Sequence, residues 1–293
     1  MRLTVKKVGV SMMMLATFFW GYMGISSRYL NHISLRTVDI SFIRALSAAI
    51  MLTIYLFFRK RSAFRLPVKG LIFSCFYGII CFAIGMSFYS LSVDNIPISV
   101  ATVLMFSNPI WATLFGKIFF GDPISKKKLV IMILCLVGCM CIIDVFSARG
   151  AELNMIGVLA GILNGMTFSL QIVLPRFVEN KLSKDSLLLY GFWSATICLA
   201  FFVNIGDIAS KVANSGRPGF YLAHLLAIGI LCTFVAITLY VKSTKYIGTS
   251  LPSMMSALEP VFASIIAYMV FSEVMKPIQV LGAVTIIASI VAL

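Results

Sequence analysis

Long apolar runs separated by short polar stretches repeat along the whole chain. The first, about Val8 to Tyr29, follows Arg2, Lys6 and Lys7. It is too long for a secretory leader and ends without a small-residue cleavage pattern, so it reads as an uncleaved helix. Further runs cover about Asp39–Phe58, Gly70–Leu91, Ile96–Phe119 and Leu129–Phe146, then Leu153–Leu174, Ser186–Ile205, Tyr221–Val241, Thr249–Val270 and Ile278–Leu293. At roughly 20 residues for each bilayer-crossing helix, the pattern predicts ten spans joined by short loops.

Two of these runs carry an expensive defect near their centres. Glu259-Pro260 interrupts the ninth and Asn108-Pro109 the fourth. Each proline removes a backbone donor and frees the carbonyl four residues earlier, which in lipid must find another partner. A carboxylate at that depth costs about 3 kcal/mol on insertion scales. The defects are copies of one device. At an offset of 151 residues Pro109 meets Pro260, Asn108 meets Glu259, Ser99 meets Ser250, Phe120 meets Phe271, and Asp122 meets Glu273. Tyr89 with Tyr240 and Ser92 with Ser243 keep the same register. An ungapped run with the rare residues in step indicates two copies of one unit, here 1–148 and 149–293.

Composition agrees with a membrane chain: 60% of residues are apolar and only 12% charged, against about a quarter charged in soluble domains. The net charge of +14 therefore reports orientation rather than nucleic-acid binding. With the N-terminus inside, sixteen Lys and Arg fall in inner loops, and six fall outside: Arg28, Arg36, Arg149, Lys211, Arg217 and Lys276. This bias predicts cytoplasmic termini in a bacterial inner membrane. Five spans per copy is odd, so the second copy lies inverted. The bare loop around Asp94 corresponds to the loop with Lys242 and Lys245, and Lys126-Lys127-Lys128 to Pro277-Ile278-Gln279. Inverted repeats of membrane helices are a secondary-transporter design with a midplane site. The expected architecture is all-α: ten transmembrane helices in two inverted five-helix repeats around a central cavity. The seven cysteines lie within expected spans, Cys135 and Cys139 four apart without a His or acid beside them. Neither a metal nor another cofactor is expected, and no nucleotide loop or nucleophile elbow is present.

Phe19-Trp20-Gly21, Phe42-Ile43-Arg44, Tyr246-Ile247-Gly248-Thr249-Ser250 and Leu258-Glu259-Pro260-Val261-Phe262 resemble the drug/metabolite transporter superfamily, in particular its EamA-type members. The resemblance covers essentially the whole chain. It implies ten helices around a cavity, with spans five and ten peripheral, and movement of small organic metabolites, often outward. One departure is Asn164, where the family often carries an aromatic residue.

Glu259 is the first candidate for function. It can carry a proton or meet a cationic cargo, or it can mend the break at Pro260. Asn108 offers both donor and acceptor. Trp20 and Trp111 lie inside their spans, suited to packing or to a ligand face. Tyr89 and Tyr240 lie towards opposite surfaces and can close the path or anchor at the interface. Asn164, Phe168 and Gln171 form a strip on one face of span six, suited to a cavity. The glycine ladder Gly157, Gly161, Gly165 on the same span favours close packing instead. Arg44 is expected to snorkel outward or to pair with Asp39, unless it draws an anion. The partners implied are the bilayer and a small-molecule substrate, with no nucleic acid, for a monomer or homodimer. The expected function is export of amino-acid-like or amphipathic metabolites by alternating access. Uptake of a cationic metabolite such as a quaternary amine is the alternative. A membrane enzyme would need an acid/base cluster that the loops do not supply.

Overall fold

The computed structural model describes residues 2–145 and 154–292. The expected boundary at 148/149, the outer Arg149, and the outer ends of spans five and six at Phe146 and Leu153 lie outside them, as does Leu293. Apart from a 3-10 turn over Arg61–Phe64, eleven helical segments follow the described chain: α1 Arg2–Asn31, α2 Thr37–Arg59, α3 Val68–Asn95, α4 Ile98–Phe120, α5 Lys126–Ile142, α6 Met155–Val178, α7 Lys184–Ala200, α8 Ile205–Ala213, α9 Pro218–Ile247, α10 Ser250–Phe271 and α11 Pro277–Val291. Seven described helices are long and apolar enough to cross a bilayer; α5, α7 and α11 are shorter, at 17, 17 and 15 residues.

One expectation is corrected. The seventh run was read as a single helix to Ile205, but α7 stops at Ala200, and α8 leaves at 88° to it. Asn204 caps α8 by accepting from the Asp207 amide. Ile205, Ile208 and Val212 recur at helical spacing in α8, and Ile208 is buried. The seventh run, ending at Ile205, gave no sign of the amphipathic surface helix that follows it.

Contacts sort the loops onto two faces. On the face of the N-terminus, Asp122, Lys128, Arg176, Thr244, Lys245 and Ser250 surround a cleft of about 520 Å³, and Asp185 bridges Lys60 and Lys242. On the opposite face Arg28 meets Glu273, and Lys211 donates to the Ser34 carbonyl. Peripheral α5 and α11 pack closely on one another through Gly138 and Gly282. A Cβ on Gly138 would lie 2.6 Å from Ile286 Cγ1, and one on Gly282 2.6 Å from the Gly138 carbonyl oxygen.

The third and ninth helices share a rarer feature. Each turns π-helical midway, over Ile79–Ile84 in α3 and Ile228–Val235 in α9. Such turns insert a residue, change the register of side chains and recur at functional sites.

Candidate functional site

The breaks in α4 and α10 meet inside the bundle. In α4 the helix ends at Met105 and restarts at Asn108. In α10 a 3-10 turn over Ser256–Leu258 separates Ser250–Met255 from Glu259–Phe271. Asn108 is fully buried. Its amide donates to the Met105 carbonyl, the one freed by Pro109, at 3.4 Å, and across to Ser256 Oγ at 3.2 Å. Asn108 thus mends its own break and ties the two broken helices together, while its Oδ1 has no partner.

Glu259 does not repeat this role. Its carboxylate is in none of the side-chain hydrogen bonds or ion pairs of the described residues. It interacts electrostatically with Arg44 of α2, Tyr89 of α3, Cys139 of α5 and Cys232 of α9. Neighbours on four helices place it towards the bundle interior, and it remains half-buried.

Arg44 departs from its expected partner. Asp39 is fully buried and forks onto Arg36, at 2.7 and 3.0 Å. Arg44 instead donates from Nε to Thr233 Oγ1 at 3.0 Å, and Thr233 hydrogen-bonds back to the Ile228 carbonyl five residues earlier. The π turn of α9 therefore holds Arg44. Asp39 lies three residues from Arg36, where one helix turn and the cap geometry favour the local pair, so Arg44 is left for the interior. Tyr89, half-buried, sits beside Thr102 and within range of both charges.

A second cluster lies beside the π turn of α9. Trp20, Phe168 and Tyr240 pack ring against ring, with centroids 5.2 to 5.7 Å apart. Trp20 is 3% and Tyr240 0% exposed, and the Tyr240 hydroxyl has no partner. Trp20 Nε1 donates to the Cys232 carbonyl at 3.0 Å, and Gln171 Nε2 reaches the Cys81 carbonyl at a long 3.5 Å. Both acceptors are in the π turns, and both donors and acceptors are 151 residues apart. Asn164 donates to the Gly85 carbonyl at 2.8 Å. The polar strip of α6 thus packs its amide nitrogens on α3, leaving Asn164 Oδ1 and Gln171 Oε1 buried and unpaired. Trp111 is half-buried and donates to Ser107 Oγ, apart from the ring cluster. The structure therefore groups Trp20, Phe168, Gln171 and Tyr240 on one side and Tyr89, Arg44 and Glu259 on the other, with Asn108 at the crossing. Arg44 is the interior charge whose favoured sequence reading was snorkelling or pairing with Asp39; the available signal was its place inside a span with the nearer acid already matched.

Each face also carries an Arg–acid pair over a phenylalanine. Arg176 forks onto Asp122 at 2.5 and 3.0 Å and lies 3.9 Å over the Phe120 ring. Arg28 meets Glu273 at 2.6 Å and lies 4.8 Å over Phe271. The Arg176 guanidinium holds the Asp122 carboxyl below the ordinary carboxylate range.

The EamA-like transporter family matches residues 7–144 and again 155–293. The chain belongs to this family. As an EamA-type chain it is a multi-pass membrane protein of the drug/metabolite transporter superfamily. It is 22% identical over 204 residues to an uncharacterized transporter of Archaeoglobus fulgidus, covering 69% of each chain. It is 24% identical over 219 residues to an uncharacterized transporter of Clostridium kluyveri, covering 72% of this chain and 68% of that one. It is also 24% identical over 263 residues to a protein of Rickettsia felis named S-adenosylmethionine uptake transporter, covering 90% and 84%. A solved crystal structure shares the EamA chain's fold with a TM-score of 0.78 at 14% identity, covering all of this chain and 96% of the other.

Proposed function

We propose that the protein is a secondary transporter of small organic metabolites that exports amino-acid-like or amphipathic compounds by alternating access. Ten spans form two inverted five-helix halves, 1–148 and 149–293, around a central cavity in a bacterial inner membrane, with both termini cytoplasmic. The observation that carries this reading is Glu259, a carboxylate at the break of α10 that has no hydrogen-bond or ion-pair partner among the described residues. Broken helices at midplane are where such transporters hold cargo and coupling ions. The matched π turns and the Trp20–Cys232 and Gln171–Cys81 contacts, 151 residues apart, support two copies of one unit. Trp20, Tyr89, Asn108, Trp111, Asn164, Phe168, Gln171, Tyr240 and Glu259 are the proposed lining. Glu259 is also the candidate for proton coupling. The buried, unpaired oxygens of Asn108, Asn164, Gln171 and Tyr240 favour a polar cargo or water, since such atoms are rarely left unsatisfied. Peripheral α5 and α11 allow a monomer or a homodimer.

Uptake of a cationic metabolite is the second reading. The name of the Rickettsia felis relative favours it, as does the uncommitted Glu259.

The test is solute counterflow in proteoliposomes with an amino-acid and amine panel, alongside thermal shifts of the purified protein. Counterflow of an amino-acid-like solute, lost in Glu259→Gln, is expected. Flux without counterflow makes the protein a channel, and preference for amines lacking a carboxylate favours the second reading.

A further inference from the structure

The three consecutive lysines at the start of α5 are divided between two places. Lys128 lines the cleft on the N-terminal face. Lys126 and Lys127 instead line a groove of about 620 Å³ between α5 and α11. Val130 and Leu134 stand on one wall, Val284, Ala288 and Ala292 on the other. The two hydroxyls in the groove are satisfied within their own helix: Thr285 donates to the Leu281 carbonyl and Ser289 to the Thr285 carbonyl. The groove is therefore an apolar trough with two ammonium groups at its mouth.

At their other ends the same helices close on each other. Gly138 and Gly282 bring the backbones together, Gln279 Nε2 donates to the Ile142 carbonyl at 3.0 Å, and Lys276 meets Asp144 at 2.6 Å. The lysine at that end has its acid. Lys126 and Lys127 are exposed and belong to none of the ion pairs of the described residues. Asp122, the nearest acid along the chain, is forked onto Arg176. From Lys126 to Leu134 the groove runs about 12 Å at 1.5 Å per residue. One leaflet supplies roughly 15 Å of hydrocarbon. Val130 and Val284 are exposed along it, and in a multi-pass membrane protein such a face meets acyl chains.

We propose that the groove between α5 and α11 binds an anionic phospholipid of the leaflet on the N-terminal face, with its phosphate at Lys126 and Lys127 and an acyl chain along Val130, Leu134, Val284 and Ala288. Basic residues at the membrane surface favour anionic headgroups. A zwitterionic headgroup brings a cation of its own to the same two lysines. Free phosphate leaves the apolar trough unfilled. A second copy docked here about a two-fold axis along the membrane normal presents the same patch, and so sets further lysines against these.

The test titrates the purified, delipidated protein in detergent with phosphatidylglycerol, with phosphatidylethanolamine of the same acyl chains, and with inorganic phosphate. Bound lipid is counted by native mass spectrometry, and melting temperature follows because a ligand of the native state raises it. Near a membrane surface each lysine favours an anionic lipid by about fivefold. Wild type is accordingly expected to half-saturate with phosphatidylglycerol at a concentration about tenfold or more below that for phosphatidylethanolamine. Replacing both lysines, Lys126→Gln with Lys127→Gln, should bring that ratio near one. Lys128→Gln, on the cleft side, should leave it unchanged. Ala288→Phe fills the trough and should weaken both lipids together. Inorganic phosphate should leave melting unmoved. A wild-type ratio near one overturns the site, as does a ratio that survives loss of both lysines. Stabilisation by inorganic phosphate equal to that by phosphatidylglycerol makes it a bare anion site and overturns the lipid. A dimer that Ala288→Phe dissociates while the lipid ratio stays intact makes the groove an interface between copies instead. These readouts involve no cargo, so they bear on the groove alone.

Discussion

Asn108 and Glu259 occupy equivalent places and are used differently. The amide can donate to the carbonyl that Pro109 frees; a carboxylate cannot, so the break in α10 relaxes into a 3-10 turn instead. Stability and transport should therefore separate at these positions. Asn108→Ala is expected to destabilise by about 1–3 kcal/mol, because it removes the donor to the Met105 carbonyl and the bond to Ser256 Oγ that ties the two broken helices. Glu259→Gln is expected to melt close to wild type while counterflow falls at least tenfold. Melting curves in detergent and flux in proteoliposomes check the two together. Trp20→Phe keeps the ring contacts but removes the bond to the Cys232 carbonyl, with an expected loss of about 1 kcal/mol. The rare residues, Glu259, Asn108 and the prolines, were legible in sequence because a membrane makes them conspicuous. Whether each is mended by its neighbour was not, since that depends on a distance of 3.4 Å between Asn108 and Met105. Arg44 was misjudged for the same reason: its partner, Thr233, is 189 positions away.

At the scale of elements, the π turns were invisible in the apolar pattern. Hydropathy averages over the inserted residue, and nothing in Ile79–Ile84 or Ile228–Val235 breaks the run. Helix ends were more legible than helix geometry. The broken spans stood out because proline has a definite backbone consequence, whereas α8 was hidden by its own apolar face. The Asp122–Arg176 pair belongs to this scale because it fastens the end of α6 to the loop after α4. Its carboxyl is depressed by the guanidinium, so its stabilising effect is full above the ordinary carboxylate range and is lost as pH falls through the lowered value. Asp122→Asn is expected to erase that acid-side decline, measured as melting temperature against pH. Where α5 meets α11, Gly138→Leu forces a large side chain against Ile286 and Gly282. It is expected to cost about 1–3 kcal/mol through overpacking, read as a lowered melting temperature with the selectivity of transport unchanged.

Across the whole molecule, the two faces are fastened unequally. The Asp122–Arg176 fork is partly buried, with side-chain exposures of 26% and 33%, whereas Arg28 and Glu273 meet through one bond at exposures of 52% and 50%. If parting the Asp122–Arg176 fork is the step that opens the N-terminal face in the proposed cycle, the empty carrier is weighted towards the form shut on that face. Cargo arriving there must wait for the rarer form, and its apparent affinity is reduced by that fraction. The half-saturation concentrations measured from the two sides should then differ, the higher belonging to the N-terminal face. Without an ion gradient, however, a passive carrier cannot accumulate anything. The ratio of maximal rate to half-saturation must therefore be the same in both directions, so the side that binds more weakly turns over faster. Initial rates in vesicles of opposite orientation check both statements. The lopsided fastening governs how quickly concentrations level and from which side the carrier saturates first, while the gradients alone decide which way net cargo moves.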